Sequence, residues 1–192
     1  LVIIGNEILS GRTRDANMSS YIAVGLFHHY LISGDLAFVK QMWPTVSAAI
    51  EFVLDLQTPN GEIHWAISPK GEVDPMALLT GSSSIYMSLK CALAISTILG
   101  HSRPRWHNGL IKLGDAIKQK PHLFNMTKSR YSMYWFYPIL AGALTGADAQ
   151  KRIDKYWKKY MIEERGVLCV SDEPWVTIAE TSELVIALAA MG

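Results

Sequence analysis

The 192-residue sequence predicts an all-α fold, a partial (α/α) toroid in which inner and outer helices alternate. Three observations predict it. After residue 16 almost every apolar run has helical rather than alternating spacing. The runs fall into two classes: those rich in small apolar residues (21–32, 80–99, 132–145, 174–191) and amphipathic, charged ones (35–57, 104–118, 147–161). The two classes alternate strictly. A helix with neighbours all round must be apolar on most faces, whereas one that borders solvent needs only one apolar stripe.

Each element has a local justification. Ser19 and Ser20 can cap a first helix, Tyr21 to Ile32, which stops at Ser33-Gly34. Asp35 caps a short helix through Met42, and Pro44 opens a longer one to Gln57, with Val46, Ile50, Val53 and Leu54 on one face. "TPNGE" ends it, and "EIHWAIS" is one short extended piece. Further helices lie in "GSSSIYMSLKCALAISTILG", "RPRWHNGLIKLGDAIKQKP", "SMYWFYPILAGALTG", "ADAQKRIDKYWKKYMIEE" and "PWVTIAETSELVIALAAMG". The inner helices recur every 50 to 60 residues or so, the spacing of hairpin repeats. Residues 1–13 are expected to be an extended segment, either foreign to the domain or its leading edge, and residues 14–192 to form the incomplete toroid.

Composition narrows the function. A net charge of +1 gives no electrostatic footprint for nucleic acid or a membrane surface. No apolar run is long enough to span a bilayer, and no signal peptide is visible, so a cytoplasmic location is expected. Cys91 and Cys169 form neither a disulfide framework nor a zinc pattern, and Cys91 reads as a buried small hydrophobe. Of His28 and His29, one is expected to face the packed side as a core histidine; neither has a third ligand at metal spacing, and no metal or cofactor is expected. "KYWKKY" reads as a solvated outer face.

Two resemblances add to this. "IIGNEILSGRTRDAN" resembles the first strand and loop of the molybdopterin-binding domain of the CinA and MoaB/MoeA families, which would place Gly5, Asn6, Glu7, Ser10, Gly11, Asp15 and Asn17 around a pocket. The match covers only about the first 17 residues, and no strand–helix alternation follows it. The second is broader. "YLISGDLAFVKQMWPTVSAAIEFVLDLQTPNGEIHWA" resembles a segment of six-hairpin (α/α) toroid glycosidases, through Tyr30, Leu31, Gly34, Asp35, Phe38, Trp43, Pro44 and Ala49. From Arg14 to Gly192 the chain also resembles bacterial proteins catalogued as six-hairpin-glycosidase-like or prenyltransferase-like. It departs from that pattern at Tyr134, where an acidic residue is commoner. The resemblance implies a fragment of a six-hairpin barrel with the toroid domain of a carbohydrate-active enzyme.

In a toroid the loops entering the inner helices open at one end. Here they carry carboxylates and aromatic rings, the side chains that bind a sugar. Candidate acids are Asp15, Glu62, Asp172, Glu180 and Glu183; candidate substrate-binding residues are Asn17, Trp65, Arg130, Tyr131, Trp135, Tyr137 and Trp175. Arg14, His64, Asp74, Tyr134 and Thr177 lie in the same loops. Glu180 and Glu183 share one face of an otherwise apolar helix, so they either line a wet cavity or pair with Arg130 or Arg14. The expected partner is a small-molecule or oligosaccharide substrate. Alternatives are a prenyltransferase or terpene cyclase on the same fold, a non-catalytic saccharide-binding or scaffold toroid, and a molybdopterin-binding fragment. "QTPNGEIHW" is a near miss to the Gln-x-x-x-Gly-x-Trp cyclase motif, and no Asp-Asp-x-x-Asp diphosphate site is present. Four inner and three outer helices make about three and a half hairpins. The flanks of the two terminal inner helices then lack neighbours, and the chain is expected to self-associate.

Overall fold

The structure, a computed structural model, describes residues 14–192. The opening segment and its Gly5–Gly11 loop lie outside the described residues. Strand β1 (Arg14–Asp15) leads directly into a short helix, α1 (Ala16–Ser20), whose N-terminus is capped by the Asp15 carboxylate accepting from the Met18 amide at 2.7 Å. Helix α2 (Ile22–Ser33) ends where Gly34 takes φ +65°, a left-handed cap that suits glycine.

Helix α3 (Leu36–Asp55) corrects the sequence reading. Pro44 does not open a second helix; it lies inside a single one capped by Asp35, which accepts from the Phe38 amide at 2.9 Å. The buried residues Val39, Trp43, Val46, Ile50 and Val53 continue across it at unbroken helical spacing. Pro44 is on the exposed face, where water can take the carbonyl that loses its amide partner. Burial of one continuous stripe outweighs that local loss.

Strands β2 (Ala66–Ile67) and β3 (Val73–Asp74) pair antiparallel with one another, and β1 pairs with β2, Asp15 opposite Ala66. Helix α4 (Leu79–Ile98) follows, then α5 (Pro104–Gln119), opened by proline at its first position. Two 3₁₀ turns (Pro121–Leu123 and Met126–Arg130) precede α6 (Met133–Leu140). Helix α6 is shorter than its apolar run, because the chain turns at Gly142 with φ +70°. Helix α7 (Gly146–Tyr160), the hairpin β4 (Met161–Ile162) and β5 (Gly166–Val167), and helix α8 (Ile178–Ala189) complete the chain.

The fold is all-α, its strands being five two-residue pieces among the described residues. Helices α2, α4, α6 and α8 pack in series, each against the next. Helices α3 and α5 lie against α4 and touch one another, and α7 lies against α6. Trp106 of α5 is fully buried and donates its indole N–H to Glu51 of α3 at 2.6 Å; Arg105 pairs with Glu51 and with Asp55 (2.6 Å). A second core joins α6, α7 and α8 through Trp135, Phe136, Ile153, Tyr160 and Leu184. Both His28 and His29 are exposed, so neither is the core histidine expected; His29 sits edge-on to Phe38. Cys91 is buried, as its apolar surroundings imply. Among the described residues no helix is long and apolar enough to cross a membrane.

Candidate active site

Backbone hydrogen bonds tie together, in chain order, the loops that enter the series α2, α4, α6 and α8. The Ala16 amide donates to the Trp65 carbonyl (2.8 Å), and the Asn125 amide to the Ala77 carbonyl (2.8 Å). The Ser132 amide donates to the Cys169 carbonyl (3.0 Å), and the Ser171 amide to the Arg130 carbonyl (2.8 Å). Loops dispersed along the sequence are thus joined to their neighbours in the series.

At the first end of the series lie Asp15, Asn17, Trp65 and Asp74. Burial pushes the Asp15 carboxyl above its usual range, against the lowering effect of the Met18 and Asn17 amides. The Asn17 Oδ1 is buried without a hydrogen-bond partner. The Trp65 indole and the Met76 amide (2.9 Å) hold the Asp74 carboxyl below its usual range, although the indole N–H makes no well-formed hydrogen bond.

At the other end α8 presents Glu180 and Glu183 one turn apart. The Tyr137 hydroxyl donates to Glu183 Oε1 at 2.9 Å. Burial raises the Glu183 carboxyl; the Tyr137 bond opposes this and the neighbouring Glu180 adds to it. Tyr137 itself is pushed far up by burial and by Glu183, with Tyr21 and Glu180 contributing. Glu180 accepts from the Thr177 hydroxyl and holds the Cys169 thiol, which burial and that carboxylate push up. Neither glutamate forms an ion pair among the described residues. Arg130, one of the two arginines weighed as a partner, pairs instead with Asp172 at 2.8 Å, with both side chains about half exposed. Its guanidinium lies 5.9 Å from the ring centre of Tyr131, which is exposed. Trp175 is well exposed beside them in the chain.

Two predicted site residues are placed elsewhere. Trp135 is fully buried, stacked on Tyr160 (5.5 Å) and donating its indole N–H to the Arg152 carbonyl (3.1 Å). Its ring has no free face for a sugar. Glu62 is buried in the turn after α3, where Oε2 accepts from the Thr58 hydroxyl at 2.6 Å, and the adjoining Gly61 abuts the backbone of α5. Two residues of the cluster were not singled out from the sequence, Tyr21 and Cys169. Each sits in an apolar run, and only the packing of α2 and α6 and the 168–172 loop brings them beside the glutamates. A lone tyrosine opening a helix of small residues was the one available signal.

Carboxylates, phenols and exposed rings thus lie in the loops and helix starts of this helical scaffold. No family model matches the chain. Over 189 residues it is 48% identical to the MMP endo-(1,4)-3-O-methyl-alpha-D-mannosidase of Mycolicibacterium hassiacum. That match takes in 98% of this chain, and the chain spans about half (52%) of the relative's length. The resemblance of the opening stretch to a molybdopterin-binding domain finds no support, since the match to the mannosidase takes in nearly all of the chain.

Proposed function

We propose that this chain forms part of the active site of a glycoside hydrolase of (α/α) toroid architecture. Its proposed substrate is an α-(1→4)-linked chain of 3-O-methylmannose cleaved at internal linkages. The observation that carries the reading is the Tyr137–Glu183–Glu180 cluster, in a chain 48% identical to an endo-mannosidase. A carboxyl whose hold on its proton is strengthened by burial is suited to give that proton to a glycosidic oxygen.

Glu183 is the proposed acid. As the bond from C1 to the leaving oxygen breaks, that oxygen takes the Glu183 proton. Glu180, one turn earlier on the same face, supplies negative charge beside the developing oxocarbenium centre. Water then adds its hydroxyl to C1 and leaves its second proton on the carboxylate pair. Tyr21, Tyr131, Trp65 and Trp175 are the proposed rings for sugar faces; a methyl ether in place of a hydroxyl removes a donor and adds apolar surface, which favours such rings. Asp15, Asp172, Asn17 and Arg130 are proposed to bind hydroxyls along these loops.

The test is incubation of the longer natural protein with α-(1→4)-linked 3-O-methylmannose oligomers. Internal fragments should appear, and Glu183→Gln should lower kcat by about 100-fold or more, the low end of a general acid's contribution. An enzyme inert on every α-mannoside, or a Glu183→Gln variant with unchanged kcat, would overturn the proposal.

A further inference from the structure

A cleft of about 250 Å³ lies between the C-terminal end of α5 and one face of α7. Helix α7 contributes Asp148, Lys151, Arg152, Lys155 and Tyr156, spaced i, i+3, i+4, i+7 and i+8, so one helical stripe faces the cleft. Lys118 of α5 stands opposite. Four cations thus surround the cleft against one carboxylate, Asp148, and none of the four forms an ion pair among the described residues.

Arg152 is the central feature. It is partly buried, and its Nε and Nη2 donate to the carbonyls of Trp135 and Tyr134, both at 2.7 Å. Those bonds fix the plane of the guanidinium and leave three of its five N–H groups uncommitted. The Tyr134 and Tyr156 rings flank it at 5.8 and 5.5 Å. Burial makes its charge harder to hold, and both carbonyl partners are neutral. A desolvated cation with neutral partners gains most from an anion brought to its open side.

We propose that this cleft binds a tetrahedral phosphate-type oxyanion, either free or as a phosphate monoester. Arg152 is the fixed fork, Lys118, Lys151 and Lys155 are the mobile point charges, and Tyr156 is a flat face for whatever carries the phosphate. The cleft lies on the outer helices, apart from the glutamate cluster, so it is a site additional to the proposed sugar site.

Isothermal titration of the full chain at constant ionic strength tests this, with inorganic phosphate, a hexose phosphate and chloride as separate titrants. Saturable binding of a phosphate titrant, absent for chloride, is expected. Tighter binding of the hexose phosphate would assign the site to a monoester, and equal binding to the free anion. Replacing Lys151 and Lys155 together by Gln should weaken binding by tenfold or more, whereas Lys158→Gln, on the same helix but outside the cleft, should leave it unchanged. All three lysines are exposed, so these variants should fold, and a thermal melt checks that they do. The proposal is overturned if phosphate binds no better than chloride, or if the double variant binds as the natural chain does.

Discussion

At the scale of single residues, Glu183 and Tyr137 carry the sharpest consequences. Burial raises the Glu183 carboxyl, so the folded state holds that proton more tightly than the unfolded chain does. Its contribution to stability is fully present below the unfolded value, about 4.3, and is lost as pH rises through the raised folded value. Glu183→Gln should therefore flatten the fall in melting temperature across that interval, and melts at a series of pH values measure it. Tyr137→Phe removes the donor that favours the charged carboxylate. The Glu183 carboxyl should rise further, and the alkaline limb of the proposed hydrolysis should move to higher pH. A profile that stays in place or moves the other way would count against Glu183 as the acid. The sequence placed two carboxylates one turn apart on an apolar helix and left open whether they line a wet cavity or pair with Arg130 or Arg14. The actual partners, a phenol and a threonine hydroxyl, are neutral, and that is what leaves a protonatable group at the site.

At the scale of elements, the clearest contrast is Trp135. As part of "RYSMYWFYP" it looked like a sugar platform, yet it is the centre of the α6–α7–α8 core. Trp135→Ala should cost about 3–5 kcal/mol, the usual range for a buried tryptophan, and denaturant melts should show it whether or not a ligand is present. The turn after α3 is as unforgiving. Gly61 has φ +110°, and a Cβ there would stand 2.3 Å from the Lys112 carbonyl oxygen. That oxygen belongs to the backbone of α5 and cannot swing away. Gly61→Ala should thus prise the turn from α5 and lower the urea midpoint more than a substitution at exposed Gly71 does. Helix α3 makes the same point in reverse: a proline that reads as a helix start is tolerated mid-helix because its exposed side can be solvated.

At the scale of the molecule, the two ends of the helix series are unusually apolar. Ile32 on α2 is 89% exposed and Ile178 on α8 is 87% exposed; Leu31, Val185 and Ile186 are also open to solvent. Apolar surface is worth roughly 25 cal/mol per Å² when buried, so both flanks favour covering. The 192-residue chain expressed alone is expected to self-associate, and sedimentation velocity across a concentration series checks it. A monomer at high concentration would refute this. The M. hassiacum relative is nearly twice as long as this chain.

What the sequence determined by itself was the class of fold and the inventory of chemistry. Helical period, the cap at Asp35 and the Gly34 stop are local signals, written in residues within a turn of one another; Ser19 and Ser20, read as caps of α2, lie instead inside α1, which Asp15 caps. The alternation of apolar and amphipathic helices is also local, and it placed the acids and rings in the loops before alternate helices. Only the tertiary structure decided which of those residues meet. Trp65 lies in the loop before β2 and Trp135 in the first turn of α6, and nothing within either segment says that the Trp135 ring is covered by Tyr160. Burial is set by which neighbour arrives across the core, and so are a carboxyl's partners: Glu183, Glu62 and Asp172 share a chemistry in sequence, yet in space they meet Tyr137, Thr58 and Arg130 respectively.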